Sequence, residues 1–254
     1  MLSITDHLIQ PLGDPIARNV SAAEVERLVS TLPKFRMPVS GTVYGTLLND
    51  RLAVDALGDA VNAPPYKAAP KAPILYVKPA NTLVGHGAEV TIPDEAGVQV
   101  GGSLGIVIGR TASHVSESHA LEVVAGYTVV ADLCVPHESV YRPSVRFRAR
   151  DGFCVAGPAI VKRDFVAQPD SLQITTSVDG LAAFNATTAS SVRGVARLIA
   201  DVTEFMTLHP GDVLTMGVPH GSPVSLHGGS ARVSINGLPT LEFTLRVSAQ
   251  KGEV

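Results

Sequence analysis

The chain has 254 residues, 45% of them apolar, with no tryptophan and 5% aromatics, so it can bury a sizeable core that must be aliphatic. A formal charge of −3, from 20 basic and 23 acidic residues, gives no field to gather nucleic acid or anionic lipid. Two cysteines, Cys134 and Cys154, make neither a disulfide framework nor a zinc site and are expected to be reduced and packed as small apolar residues.

Residues 1–38 read as an N-terminal extension, set apart from a domain over residues 39–254. The start MLSITDHLIQPLGDP lacks the basic residues and long apolar run of a signal peptide, and a cytoplasmic location is expected. The extension holds a short helix over Ser21–Ser30, where Ser21 and Glu24 form a capping box and Pro33 and Pro38 bracket the exit. Its expected role is an arm packed on the domain or on a neighbouring subunit. From Gly41, GTVYGTLLND predicts a strand leading into a turn at Asn49–Asp50. Residues 57–73, rich in Pro, Ala and Gly, predict a surface loop or lid. Ile74–Lys78 predicts a short buried strand closed by Pro79 and Asn81–Thr82, and AEVTIPD a further strand.

The stretch Val98–Glu138 reads as strand, turn, capped helix and second strand. Ser116 is the expected N-cap of that helix and Gly126 its expected stop. Tyr127–Leu133, rich in β-branched residues, predicts a central strand with one carboxylate, Asp132, at its end. YRPSVRFRARDGF then predicts a basic loop bearing Arg142, Arg146, Arg148 and Arg150. SLQITTSVDG predicts a strand ending in a hairpin turn at Asp179–Gly180. Over Ser190–Met206, Val192, Val195, Leu198, Ile199 and Val202 form one apolar helical stripe, ended by His209-Pro210-Gly211. Three strands follow, DVLTM, SARVSIN and LEFTLRV, the last two joined at Asn236–Gly237. Many short strands, a few short helices and no regular βαβ alternation give a mixed, mainly β fold class.

Gly101, Gly102 and Gly105 imitate a dinucleotide fingerprint, but their spacing fails and they precede a strand rather than join a strand to a helix. No GxxxxGK[ST], GxSxG or HExxH occurs. The 8 histidines are scattered, with no pair at metal-ligand spacing. The longest aliphatic run, around LGIVIG, is too short to span a bilayer.

Four blocks in order, LGIVIGR, ALEVVAGYTVVADL, RDGFCVAGP and TEFMTLHPGDVLTMGVPHG, resemble the core blocks of the fumarylacetoacetate hydrolase family. PYKAAPKAPILYVKPANTLVGHG and PHESVYRPSVRFRARDGFCVAG are similar to one branch of it, the N-terminal half or separate first subunit of the bifunctional decarboxylase/isomerases of 4-hydroxyphenylacetate (homoprotocatechuate) catabolism. The resemblance implies a β-roll or sandwich with a few short helices. It also implies a 2-oxo dicarboxylate substrate and Mg²⁺ or a similar divalent ion held by a Glu-x-Glu and an Asp, a donor set suited to a hard cation. In that chemistry the ion draws electrons from the 2-oxo acid, and a general acid/base returns a proton at another carbon.

Carried onto this chain, the Asp is Asp132, while the two glutamate positions fall on Gly101 and Ser103. The family's acid/base His and Glu fall near Ala53 and Ala56, its G-T-P threonine on Val218, and the Arg that follows the metal Asp on Pro136. Asp132 is therefore the one metal-binding carboxylate implied; Asp94 and Glu95 are near in sequence and could substitute. No cofactor is expected on this chain alone, the divalent ion being expected on a paralogous partner subunit; the chain is expected to assemble with that paralogue, as a homodimer, or both. Lys78, Tyr141, Arg142 and Arg148 match positions that could hold an anionic substrate, with Lys78 and Arg148 as catalytic candidates; the alternative is a solvated basic loop or a subunit interface. Three readings stay open: a working subunit of the decarboxylase/isomerase, a catalytically inactive subunit that stabilises a metal-bearing paralogue, and an independent enzyme of the same fold with a rewired site.

Overall fold

The computed structural model describes residues 8–9, 38–64, 68, 70–94, 96–137 and 144–248; the helix expected over Ser21–Ser30 lies outside them. The fold is mainly β, as its alternating apolar segments predict. Strands are β1 (Leu8–Ile9), β2 (Val43–Leu47), β3 (Ile74–Lys78), β4 (Leu83–Gly85), β5 (Glu89–Ile92), β6 (Val98–Ile108) and β7 (Val124–Cys134). They continue with β8 (Cys154–Lys162), β9 (Gln173–Val178), β10 (Phe184–Thr187), β11 (Val213–Thr215), β12 (Val224–Ser225), β13 (Gly229–Ile235) and β14 (Leu241–Val247). Three short α-helices are described: α1 (Arg51–Leu57), α2 (Val145–Arg148) and α3 (Val195–Thr203).

The larger sheet runs β1-β8-β7-β6-β11-β2-β3, with β12 also on β6 and β4 also on β8. The smaller runs β10-β9-β13-β14-β5. Alternation along β6 and β7 sends Val98, Val100, Leu104 and Ile106, with Tyr127, Val129, Ala131 and Leu133, into the main core. That core is shared with Ile174, Val233, Leu241, Phe243 and Leu245 of the smaller sheet and with Val195, Leu198, Ile199 and Val202 of α3. The opposite face carries a second, smaller cluster that includes Val43, Val107, Val130, Cys154, Ala156 and Val213.

Several local expectations change. Helix α3 starts at Val195, with Gly194 as N-cap and Asp170 Oδ1 accepting from Val195 N at 2.7 Å, so Val192 stands outside it and is exposed. After Ser116 the chain forms only a 3₁₀ helix, Glu117–Val123, because the β-branched Val123–Val124 pair turns directly into β7. Ser116 makes no side-chain cap. Gly126 lies within β7 and stops no helix; a Cβ there would run into the carbonyl oxygen of Val161 on β8, so close strand approach accounts for it. Gly101, Gly102 and Gly105 sit inside β6, not ahead of it. A Cβ on Gly102 would lie 2.6 Å from Thr176 Oγ1 and 2.8 Å from Val233 Cγ1, so bare backbone there lets the two sheets meet. Strand β3 is an edge strand with Ile74 and Val77 exposed, so only part of it is buried. Helix α1 occupies ground read as the end of a turn: Asp50 is its N-cap, accepting from Leu52 N at 3.4 Å.

The hairpin signals hold. Asp179–Gly180 follows β9 on its way to the antiparallel β10, and Asn236–Gly237 joins β13 to β14 with Gly237 at φ 82°. His86, half-buried after β4, accepts a hydrogen bond at Nδ1 from Glu242 N at 3.1 Å. Burial lowers its pKa, against an upward pull from the Glu242 carboxylate. Because the folded pKa lies below the ordinary value of 6.5, the unfolded chain binds the proton first as pH falls. Stability is thus complete above that value and declines from there down to the folded pKa. His86→Asn, which keeps an acceptor but cannot titrate, is expected to flatten the decline in melting temperature between about pH 7 and pH 5 relative to the unsubstituted protein, measured by calorimetry across pH.

Candidate functional site

The face of the larger sheet turned away from the main core carries Asp132. Antiparallel register sets Gly101 directly opposite Asp132 and Ser103 opposite Val130, while Cys154 flanks Asp132 from β8. Positions 101, 103 and 132 therefore share one face of two adjoining strands.

Asp132 is 1% exposed, and its carboxylate is met from three sides. Lys78 Nζ lies 2.5 Å from Asp132 Oδ1. The same ammonium donates to the main-chain carbonyls of Leu133 and Phe153, both at 2.9 Å, and of Arg148 at 3.2 Å. The Tyr76 hydroxyl donates to Asp132 Oδ2. Arg148 Nη1 donates to the Tyr76 hydroxyl at 3.3 Å and stands 3.8 Å from Asp132 Oδ1. Its guanidinium carbon is 4.6 Å from the Tyr76 ring centroid, a cation–π stack.

The sequence explains how these groups arrive. Tyr76 and Lys78 are two apart on β3, so both side chains leave the strand on one face. β3 pairs with β2 in the register Gly45↔Tyr76 and Val43↔Lys78, and a Cβ on Gly45 would collide with the Tyr76 ring. The bare backbone at Gly45 lets that ring lie down over β2. In sheet order β3 is four strands from β7, so the sheet curls to bring Lys78 onto Asp132. Burial, then the Asp132 charge, holds the Tyr76 phenol well above its usual pKa, which keeps the proton it donates. Burial works against the Arg148 charge, but Tyr76 and Asp132 outweigh it and raise the guanidinium's pKa. Burial also lifts both thiols, Cys154 to about 12, so neither is a ready nucleophile.

Beside this cluster opens a cleft of about 440 Å³, lined by the end of β2, by α1, by Pro136 and His137 after β7, by Arg148, and by Val218–Gly221. Arg148 is the member of the charged cluster that lines it. Ala53, Ala56, Pro136 and Val218 all contribute to its wall. The segment that presents Ala53 and Ala56 is clamped: Asn49 Nδ2 donates to Met216 O at 3.0 Å and Arg193 O at 3.1 Å, and Asp50 Oδ2 accepts from His220 N at 2.7 Å.

Of the residues singled out from sequence, Lys78, Asp132 and Arg148 converge, whereas Tyr141 and Arg142 lie outside the described residues. Arg148 is not part of a solvated basic loop: it ends helix α2 at 8% exposure, while Arg146 on the same turn is exposed. Asp94 is exposed between β5 and β6, and Glu95 lies outside the described residues. Sequence reading missed Tyr76, although the alternation in ILYVK already placed it on the face of Lys78. It also missed His137, which stacks on Phe147 with centroids 4.7 Å apart, and His220; isolated histidines gave no signal.

The residues present do not fit a divalent ion held by three carboxylates. A Cβ on Gly101 would lie 2.5 Å from Val218 Cγ1 and 2.6 Å from its Cγ2, so valine fills the space a longer side chain would cross. Ser103 offers a hydroxyl, buried and without a hydrogen-bond partner, where a carboxylate would stand. Among the described residues no group of three or more His, Cys, Asp or Glu is placed to share a metal. Among the same residues no helix is long and apolar enough to cross a membrane.

The model of the C-terminal domain of fumarylacetoacetate hydrolase matches residues 42–246. A 4-hydroxyphenylacetate degradation bifunctional isomerase/decarboxylase of Escherichia coli is 36% identical over 204 residues, 80% of this chain and 47% of that protein. The chain thus spans about half the length of such relatives. A maleylpyruvate hydrolase of Aquipseudomonas alcaligenes is 30% identical over 93% of the chain and 87% of its own length. The crystal structure of a 5-carboxymethyl-2-hydroxymuconate delta-isomerase from Mycobacterium smegmatis superposes with a TM-score of 0.72 at 25% identity, covering 85% of this chain and 83% of its own.

Tyr76→Phe removes the hydroxyl that joins Asp132 to Arg148 while keeping the ring under the guanidinium. It is expected to cost about 1–3 kcal/mol, because Asp132 Oδ2 stays buried without that donor. In a protein of this size that lowers the melting temperature by roughly 3–10 °C, read by calorimetry.

Proposed function

Because the chain belongs to the fumarylacetoacetate hydrolase family, we propose that it is the first subunit of a bifunctional decarboxylase/isomerase of 4-hydroxyphenylacetate catabolism, with the metal-dependent chemistry carried by a paralogous subunit. Its substrates would be 5-carboxymethyl-2-oxo-hex-3-ene-1,7-dioate and the decarboxylated 2-hydroxyhepta-2,4-diene-1,7-dioate. Two similarities support this reading. The E. coli relative is named for both activities in a chain about twice as long, and solved structures of similar fold are named as a 2-hydroxyhepta-2,4-diene-1,7-dioate isomerase and a 5-carboxymethyl-2-hydroxymuconate delta-isomerase.

The observation that carries the division of labour is the cleft. Its wall holds Arg148, whose charge suits a carboxylate, yet places alanine, valine or proline at positions 53, 56, 218 and 136. Arg148 cannot serve as a base, because its proton is not lost. Arg148 therefore supplies anchorage, while His137 and His220 are the titratable groups of the described wall. Those apolar positions also favour a second reading, in which the chain is a catalytically inactive subunit that stabilises its metal-bearing paralogue.

Co-expression with a paralogue bearing an intact Glu-x-Glu is expected to give a co-purifying complex that turns over both substrates, while this chain alone turns over neither. Comparable turnover by the lone chain would defeat both readings. An inactive mixed complex would remove the pathway assignment. Within an active complex, Arg148→Met should raise KM for the diacid by about tenfold or more if the cleft binds substrate, since a charge-assisted contact contributes about 1.5–3 kcal/mol. An unchanged KM would leave the supporting role alone.

A further inference from the structure

We propose that Lys78 and Arg148 are built-in counter-charges of Asp132, with the neutral Tyr76 hydroxyl as its hydrogen-bond donor, and that the centre they form excludes a divalent cation. Charge is the first reason. One carboxylate faces an ammonium at 2.5 Å and a guanidinium at 3.8 Å, so the cluster carries a formal surplus of positive charge before any ion arrives. A divalent cation coordinated to Asp132 would sit against two like charges in a buried setting, where screening by water and salt is weak.

Geometry is the second reason. Mg²⁺ demands near-octahedral oxygen ligands at about 2.0–2.1 Å. Both Asp132 oxygens are already engaged, Oδ1 by Lys78 and Oδ2 by the Tyr76 hydroxyl. The ammonium is not free to swing away, because it is also held by three main-chain carbonyls. Tyr76 is held by its stack with Arg148 and by the bare backbone of Gly45. The space beside Gly101 is filled by Val218. Admitting an ion would require several buried side chains to move at once, with no second carboxylate on positions 101 or 103 to compensate. The inference concerns this chain's own residues and does not depend on which diacid, if any, the cleft takes.

The full chain is titrated with Mn²⁺, free ion being counted by its electron paramagnetic resonance signal, and melted with and without Mg²⁺ or Mn²⁺. No stoichiometric Mn²⁺ uptake and no melting shift are expected. An ion bound with Kd a hundredfold below its concentration would raise the melting temperature by about 5–10 °C. Uptake by the parent that a folded Asp132→Asn variant loses would overturn the proposal; uptake that Asp132→Asn leaves unchanged lies elsewhere and upholds it.

The counter-charge role has its own readout. Asp132→Asn should lower the melting temperature by about 10 °C or prevent folding, because it strands the buried ammonium. The double variant Lys78→Met/Asp132→Asn should regain a substantial part of that loss. A single variant as stable as the parent, or a double variant no better than the single, would sink the proposal. Neither measurement involves a paralogue, so their failure and that of the subunit assignment are separable.

Discussion

A carboxylate taken fully out of water loses hydration worth several kcal/mol, and the fold must supply partners in its place. Asp132 meets this condition through strand β3, the edge of the larger sheet, which delivers an ammonium and a phenol to it. Lys78 at the same time ties together the carbonyls of Leu133, Arg148 and Phe153. One side chain thereby joins β3, the end of β7, the end of α2 and the approach to β8. The curl of the sheet, the position of Arg148 at the cleft and the burial of Tyr76 all depend on that junction. Breaking such a pair by removing one partner costs about 3–5 kcal/mol, a large share of the stability of most domains.

The glycines nearby follow from the same need for close approach. Gly45 lets the Tyr76 ring lie over β2, Gly102 lets the two sheets meet at Thr176 and Val233, and Gly101 leaves room that Val218 takes. A run of glycine in a strand weakens it locally, and here each glycine gives way to a specific neighbour. The dinucleotide-fingerprint interpretation fails for a structural reason as well as for spacing. These residues are paired within the β6–β7 ladder, and no helix N-terminus follows them to meet an anion.

How much of this was legible in the chain depended on how local the signal was. Strands β7, β13 and β14 could be read because β-branched content and the Asn236–Gly237 turn are properties of adjacent residues, whereas the glycines hid the first half of β6. The helix after Ser116 was misread because a cap-like serine and a downstream glycine are weak beside two consecutive valines entering a strand. Helix α1 escaped because Asn49 and Asp50 look like a turn until Met216, Arg193 and His220, all more than 140 residues away, are seen to hold them. The positions of Asp132, Gly101 and Ser103 were available from resemblance, and the register then set them on one face. Arg148 was singled out by resemblance alone, because nothing local says which of the four arginines turns inward. The role of Tyr76 was hidden for a related reason: its partners come from β7 and α2, and its seat is a glycine on β2.

The fold and the site are separable because alternation puts them on opposite faces of the same strands. Tyr127, Val129, Ala131 and Leu133 carry the main core, while Val130, Asp132 and Cys134 face the other way. Substitutions at 101 and 103 therefore leave the packing between the two sheets untouched and alter only the second, smaller cluster. What they cannot leave untouched is Asp132 itself, since a buried charge deprived of one kind of partner must find another. Tyr76 and Arg148, acting with Lys78, meet that requirement. A carboxylate paired in this way, Oδ1 with the Lys78 ammonium and Oδ2 with the Tyr76 hydroxyl, is a structural element of the sheet. The cleft beside it then differs from a metal-centred one in the sign of the charge it presents, because the group reaching its wall is a guanidinium. That sign favours an anionic occupant over a cation.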